Sequence, residues 1–471
     1  MNFSSPVFEL ALFGQALLWL VVVLVFLMTR QATIYHPLTI YLLFHFMVFV
    51  ARPLLVQYLG IDGVWHYIGF NPSEQQLLRA LAVSSFALVV ISASTLAFGW
   101  FRTGFQASAP KPFSSEQVTA LVVVTLILLP LIGYSIRSLS SGGMVMERRG
   151  DIYVNAGATG YTLDAQLMAG PLICAWLAVK RFRGIALLPV IAYLAYRANY
   201  GGGRWTFVLL ILALALVYAW QKRIKWLPLW AVLCAFPLFL LFDAIGNNRA
   251  FVQQALSGES RTQSADDGLR GKDKWRARLD TPDFANFDFL TFVVSVVPEQ
   301  TGTYTYGSQY LQLFTEPIPR KLWPGKPVGA PVRSFNLNRY GNFFGMTVSM
   351  AGDGWNSGGW VGIAITMTLV GVLLGKAHRL FWRHCESNMV SLFYLIAMAM
   401  LPQWFRDGSI SIAKLLFWNW IPFLLWVAVI WLLGRRLVPA YSVLLRPGTQ
   451  LRLVTTRTPH LPVQPRSILP K

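Results

Sequence analysis

The chain has 471 residues, 55% of them hydrophobic and only 13% charged, with a net charge of +20. A chain so apolar and so sparsely charged at this length is excluded from the soluble globular class. Its hydropathy comes in blocks near twenty residues, the length that crosses ~30 Å of hydrocarbon as a helix, which predicts an all-α polytopic membrane protein. Barrel strands would alternate over much shorter segments.

In chain order, the apolar blocks predict spans over 8–29, 37–59, 77–100, 118–137, 161–179, 184–196, 205–220, 227–245, 358–376, 389–402 and 416–434. That makes about eleven helices, within a range of ten to twelve. The first block is long and has no basic n-region, so it reads as a retained span and not as a cleaved signal. The three cysteines, Cys174, Cys234 and Cys385, fall in or beside different spans and suggest neither a disulfide nor a metal knuckle. The chain thus divides into a bundle over 1–245, one large loop over 246–357, a C-terminal set of spans over 358–434, and a basic tail over 435–471 expected to be disordered.

Alternate connections are basic: Arg30, then Arg102 and Lys111, then K-R-F-R at 180–183, Q-K-R-I-K at 221–225, and K-A-H-R-L-F-W-R at 376–383. The tail after 434 adds seven more Lys or Arg. By the positive-inside rule these segments are cytoplasmic, with the N-terminus outside and the C-terminus inside. The tail then needs no role beyond anchoring topology near anionic headgroups.

The intervening connections should be poor in cations, and 60–76 has none. Three others break the rule: Arg137, Arg148 and Arg149; Arg197 and Arg204; Arg406 and Lys414. Arginines at helix ends often snorkel to headgroups, which accounts for any single one. Three outer connections together suggest an anion site, because Arg pairs phosphate bidentately and stays charged. Between Arg197 and Arg204 lie Gly201, Gly202 and Gly203, which would let a phosphate reach the backbone near the N-terminus of the 205–220 helix. There is no P-loop signature, so nucleotide binding is not implied, and nothing suggests nucleic acid. Glu147 and Asp151 read as ion-pair partners of Arg148 and Arg149. Arg52, inside the second span, must face protein or water.

The loop over 246–357 is polar and mixed in charge over 257–278, then apolar over 289–298, F-L-T-F-V-V-S-V-V-P. That second run is too short to span and is expected to lie in the interface or re-enter partway. Aromatics, glycine and proline follow: Y-T-Y-G-S-Q-Y at 304–310, P-I-P-R-K-L-W-P-G-K-P at 317–327 and M-A-G-D-G-W-N-S-G-G-W-V-G at 350–362. Trp and Tyr, among them Trp323, offer flat faces for sugars, although an interfacial aromatic belt would use the same residues.

The order of these segments, with L-P-Q-W-F-R-D-G at 401–408 and the R-x(6)-R connection at 197–204, resembles the Wzy-type oligosaccharide repeat-unit polymerases. The resemblance covers roughly 195–434. Asp353 stands where family members often carry Glu, and family members commonly keep both termini inside. The resemblance implies a bacterial inner-membrane enzyme with a glycosyltransferase type-C-like architecture and no cofactor. It would polymerise undecaprenyl-pyrophosphate-linked oligosaccharide at the periplasmic face, for O-antigen, capsule or exopolysaccharide, among membrane lipids and with a chain-length regulator and a flippase as partners. O-antigen ligase is the nearest alternative, and a lipid-linked sugar transporter the next.

Breaking a glycosyl–pyrophosphate bond puts charge on the departing phosphate, so cations matter more than a nucleophile. Arg204, Arg197 and Arg249 are the expected phosphate ligands, supported by Arg406, with Gly202 in the cradle. Arg320 and Lys326 would hold the acceptor's pyrophosphate. The base that takes the acceptor proton is expected to be Asp353, with Glu299 second, since His66 is the one histidine placed outside. The plain reading of Asp353 is a helix N-cap.

Overall fold

A computed structural model describes residues 5–61, 65, 69–100, 111–140, 146–149, 152–155, 164–200, 204–228, 284–315, 318, 322–323, 337, 340–341 and 347–437. Within these, side chains are not described at 139–140, 146–155, 197–206, 312–313, 410–411, 414 and 435–437. Among the described residues the architecture is helical, with one antiparallel pair of short strands. The helices are α1 (Pro6–Met28), α2 (Pro37–Leu59), α3 (Glu74–Gly99), α4 (Ser115–Ser140), α5 (Ala165–Val179), α6 (Leu188–Tyr200), α7 (Arg204–Gln221), α8 (Asn286–Val296), α9 (Ser349–Arg383), α10 (Asn388–Ala399), α11 (Leu401–Asp407) and α12 (Ser409–Leu437). The strand pair joins β1 (Met146–Arg149) antiparallel to β2 (Ile152–Asn155).

Seven helical segments among the described residues are long and apolar enough to cross a bilayer, and they coincide with seven of the eleven expected spans. The expected spans at 161–179, 184–196 and 205–220 appear as shorter apolar helices, and 227–245 falls outside the described residues beyond 228. Caps start the long helices where the sequence provides them. Ser5 accepts from the Val7 N–H ahead of Pro6, and Ser73 with Gln76 closes a capping box at α3.

Burial identifies which helix faces meet protein. Along α9, Val361, Ile365, Leu369 and Leu373 are exposed at four-residue intervals, while Ile363, Met367, Gly371 and Gly375 on the other side are buried or packed. Large apolar side chains are also exposed along α1, α4 and α12. Water does not tolerate so much contiguous apolar surface, whereas lipid does, so this is a multi-pass membrane protein. The buried side of α9 packs on α3 with little between the backbones. A methyl added at Gly375 would lie 2.7 Å from Gly99 N and from Thr95 O. Small residues four apart allow such an approach between membrane helices.

The apolar run at 289–298, expected to lie in the interface or re-enter partway, is a buried helix. It forms α8, all eleven of whose residues are buried, packed against α2, α3 and α9. A helix of this length rises only ~16 Å, too little to span, and it is enclosed by protein instead of lying at the interface. Its Asp288 supplies the partner of Arg52. Arg52 Nη2 lies 2.8 Å from Asp288 Oδ2, with the two side chains 1% and 0% exposed, and the Trp65 indole donates to Asp288 O at 3.0 Å. Arg52 follows a π-helical stretch over Phe46–Ala51.

The basic connections gather at one end of the bundle. Ile34 N–H donates to Lys225 O at 3.2 Å, the Tyr394 hydroxyl donates to Tyr35 O at 2.8 Å, and Lys111 pairs with Glu386 at 2.9 Å. At the opposite end, the first turns of α8, α9 and α12 meet.

Candidate functional site

Four segments that are distant in sequence converge at that second end: the start of α8, residues 299–310, the start of α9, and 400–409. Asn286 ties two of them, donating to Arg406 O and to Thr347 Oγ1, each at 3.0 Å. Thr305 binds Asn356 O through both its N–H (2.8 Å) and its hydroxyl (2.9 Å). Gln309 donates to Ser357 Oγ at 2.6 Å, and Ser357 in turn to Asp353 O at 2.8 Å. Trp355 donates to Val297 O at 2.7 Å. The Y-T-Y-G-S-Q-Y, G-D-G-W-N-S-G-G and L-P-Q-W-F-R-D-G segments therefore share one hydrogen-bonded unit.

α9 begins at Ser349 and not near 358, and its helical run includes a kink at Gly358 and Gly359. Gly359 has φ +59°, and a methyl there would sit 2.8 Å from the Tyr304 hydroxyl. Glycine is required by both the conformation and the contact. The kink separates a short entry turn, which carries Asp353, from the lipid-facing length of the helix.

Asp353 is 2% exposed. It does not cap its own helix, whose N-cap is Val348. Its Oδ2 accepts the Ser409 N–H at 2.8 Å, the first amide of α12. The carboxyl also packs so closely on Gly408 (φ +82°) that a side chain there would collide with it. Asp353 is thus a cap supplied from another helix, which holds the α11–α12 turn against α9. The Tyr310 hydroxyl lies 3.4 Å from Thr366 Oγ1, and burial first, then the nearby Asp353 charge, pushes its pKa up.

Arg406, at the end of α11, is buried, and its Nη1 lies 2.8 Å from Asp407 Oδ1. Gln403 donates to the other Asp407 oxygen at 3.2 Å. Glu299 is half-exposed and pairs with Arg79, which also donates to Val294 O at 3.4 Å. Arg79 was not among the sequence candidates because it lies inside an apolar block. The Tyr304 phenol beside this pair is raised by burial first, then by Tyr306 and Glu299, against the opposing pull of Arg79. Polar capacity is left over in the cluster. Among the described residues, the side-chain amide of Asn356 is 0% exposed and meets no partner at either atom, and Gln309 Oε1 and Asn286 Oδ1 also meet none. Buried unmet polar groups are uncommon and concentrate at functional sites.

Other expected site residues are only partly visible. Arg197 and Arg204 lie on the last turn of α6 and at the first residue of α7, with side chains outside the described set. Since α6 leaves the basic end and α7 returns to it, both arginines lie toward the Asp353 end. Gly202, Arg249, Arg320, Lys326, His66 and Asp151 are outside the described residues, as are Cys234 and the side chains of Glu147, Arg148 and Arg149. Trp323 is 38% exposed, and no described contact joins it to the Asp353 cluster. No family model, curated protein or solved structure matches the chain.

Proposed function

We propose that this chain is a glycosyltransferase that polymerises oligosaccharide repeat units carried on a lipid pyrophosphate, acting at the outer face of a bacterial inner membrane. The observation that supports this most is the convergence of three resemblance-bearing segments, 304–310, 352–362 and 401–408, on one hydrogen-bonded unit around Asp353. In the proposed reaction, the acceptor hydroxyl attacks the anomeric carbon of the donor glycan. The bond to pyrophosphate breaks, its electron pair leaves on the phosphate, and a base takes the hydroxyl proton. Arg197 and Arg204, with Arg249, stabilise the leaving charge. Arg320 and Lys326 bind the acceptor's pyrophosphate, and Trp323 stacks on sugar. The burial of Asp353 and its bond to Ser409 favour a positioning role for it. Glu299, outward beside Arg79, is then the carboxylate available as base.

The test is gel electrophoresis of surface glycan from a strain lacking the chain, complemented with wild type, Arg204→Ala or Arg204→Lys at matched membrane levels. The expected result is a ladder for wild type and single repeat units for Arg204→Ala. A mild defect in Arg204→Lys would point to charge, and an equal one to bidentate geometry. Long glycan left on the carrier lipid in the deletion strain would make the protein a ligase instead. Normal ladders in every variant would remove the arginines from the site.

A further inference from the structure

The turn that follows the Y-T-Y-G segment is built inside out. Residues 308–315, S-Q-Y-L-Q-L-F-T, carry no charge and form a 3₁₀ turn over Ser308–Leu311 and an α-helical turn over Gln312–Thr315. Polar side chains hold it to the protein. Gln309 is 1% exposed and donates to Ser357 Oγ at 2.6 Å, and the Tyr310 hydroxyl lies 3.4 Å from Thr366 Oγ1. Leu311 and Phe314, three positions apart and so on one face, are 64% and 79% exposed. A turn in water ordinarily has the opposite polarity. Two exposed apolar side chains would mean little by themselves, however, and their depth decides what they face.

The contact with α9 supplies that depth. Val361, Ile365, Leu369 and Leu373 form the lipid-facing side of α9. Thr366 stands next to Ile365, five residues past Val361 and so ~7 Å further into the bilayer. By reaching Thr366, Tyr310 sets its turn beside the outermost part of the lipid-facing side and not above it. The same turn packs on α12, whose Phe417 and Leu424 are exposed in the same way. We propose that the 308–315 turn is set in the leaflet at the Asp353 end, at the boundary of headgroups and acyl chains, with Leu311 and Phe314 among the chains. Interfacial elements bury their apolar face ~5–10 Å into that boundary, which matches the level of Thr366. The turn thus takes the place that the sequence alone gave to 289–298, whose apolar residues are enclosed by protein. Its partner is the lipid surface. The bonds from Gln309 to Ser357 and from Ser357 to Asp353 O then fix the Asp353 cluster at the level of the headgroups. This placement does not depend on the glycosyltransferase reading.

The test is electron paramagnetic resonance of the full chain in vesicles of equal parts phosphatidylethanolamine and phosphatidylglycerol. Cys174→Ala, Cys234→Ala and Cys385→Ala clear the background, and a nitroxide is attached at Leu311→Cys or Phe314→Cys. Oxygen concentrates among acyl chains and a nickel chelate stays in water, so the ratio of their collision rates reports depth. Gln75→Cys, exposed on the first turn of α3, is the water reference. Leu369→Cys, 65% exposed on α9, is the lipid reference. At 311 and 314 the oxygen-to-nickel ratio should exceed that at 75 by about fivefold or more. A ratio equal to that at 75 would put the turn in water and overturn the proposal. Low collision rates with both reagents would mean that protein, a second copy of the chain included, covers this face, and would overturn it too. A second measurement keeps the native cysteines. A photoreactive benzoylphenylalanine in place of Phe314 should cross-link phospholipid on illumination, as it should in place of Leu369 but not of Gln75. Cross-links to protein alone at 314, or none, would refute the placement.

Discussion

The bond between Asp353 and the Ser409 amide separates a structural role for this carboxylate from a chemical one. Asp353→Ala removes the acceptor and leaves the first N–H of α12 unpaired in a half-buried place. Loss of an N-cap costs ~0.5–2 kcal/mol, and an unsatisfied buried donor ~1–3 kcal/mol. These are two views of one event, so about 2 kcal/mol is expected. Asp353→Asn keeps an oxygen at the same reach and should lose well under half of that. Gly408→Ala should mimic the alanine variant from the other side, because its methyl would displace the carboxyl, and its left-handed backbone adds strain of ~1–3 kcal/mol. Since both changes break one contact, Asp353→Ala/Gly408→Ala should fall short of the sum of the singles. The assay pairs thermal unfolding in detergent with ladder length in complemented cells. If Asp353 positions, the Asn variant keeps both its unfolding midpoint and most of its polymer. If Asp353 is the base, Asn should be as stable as wild type yet lose about 100-fold or more in rate. A stable, inactive Asn variant, or an Asn variant as unstable as Ala, would refute the reasoning.

Three further outcomes follow from the packing. Arg52→Met and Asp288→Leu should each destabilise the fold by ~3–5 kcal/mol by stranding a buried charge, and the double variant should recover most of the loss; unfolding midpoints of the three would show an additive double variant if the pair does not exist. Gly375→Ala should cost ~1–3 kcal/mol because its methyl meets the α3 backbone at 2.7 Å. Gly434→Ala, with nothing within 4 Å, should be neutral or slightly stabilising, and equal melting of the two variants would contradict the close α3–α9 approach. The Lys111 hydrogen bond and charge hold the Glu386 carboxyl below its usual range. A depressed folded pKa means this contribution is present above the unfolded value of about 4.3 and is lost as pH falls through the folded value. Glu386→Gln should therefore lose less melting temperature than wild type between neutral and acid pH, and parallel losses would show that the pair contributes nothing.

The long helices were legible in sequence because lipid and protein core both require unbroken apolar runs, so α1, α3 and α12 carry the signal whichever side each residue faces. Shorter elements gave an ambiguous signal. The run at 289–298 reads the same whether it lies at an interface or is enclosed, and only its packing on α2, α3 and α9 decides. The β1–β2 pair had a readable cue in the sequence, Gly150-Asp151 ahead of I-Y-V-N, which a search for twenty-residue blocks passes over. Charged residues were legible as types but not as pairs. Arg52 was plainly in need of a partner, yet Asp288 stands 236 positions away. Asp353 was plainly placed at a helix start, yet the helix it caps begins at Ser409. Which helices meet is decided by features with no chemical signature of their own. Gly371 and Gly375 let α9 reach α3, and Gly359 lets its entry turn bend under Tyr304. The glycines thus determine which charges face one another, and a reading built on charges alone recovers the inventory of a site before its geometry.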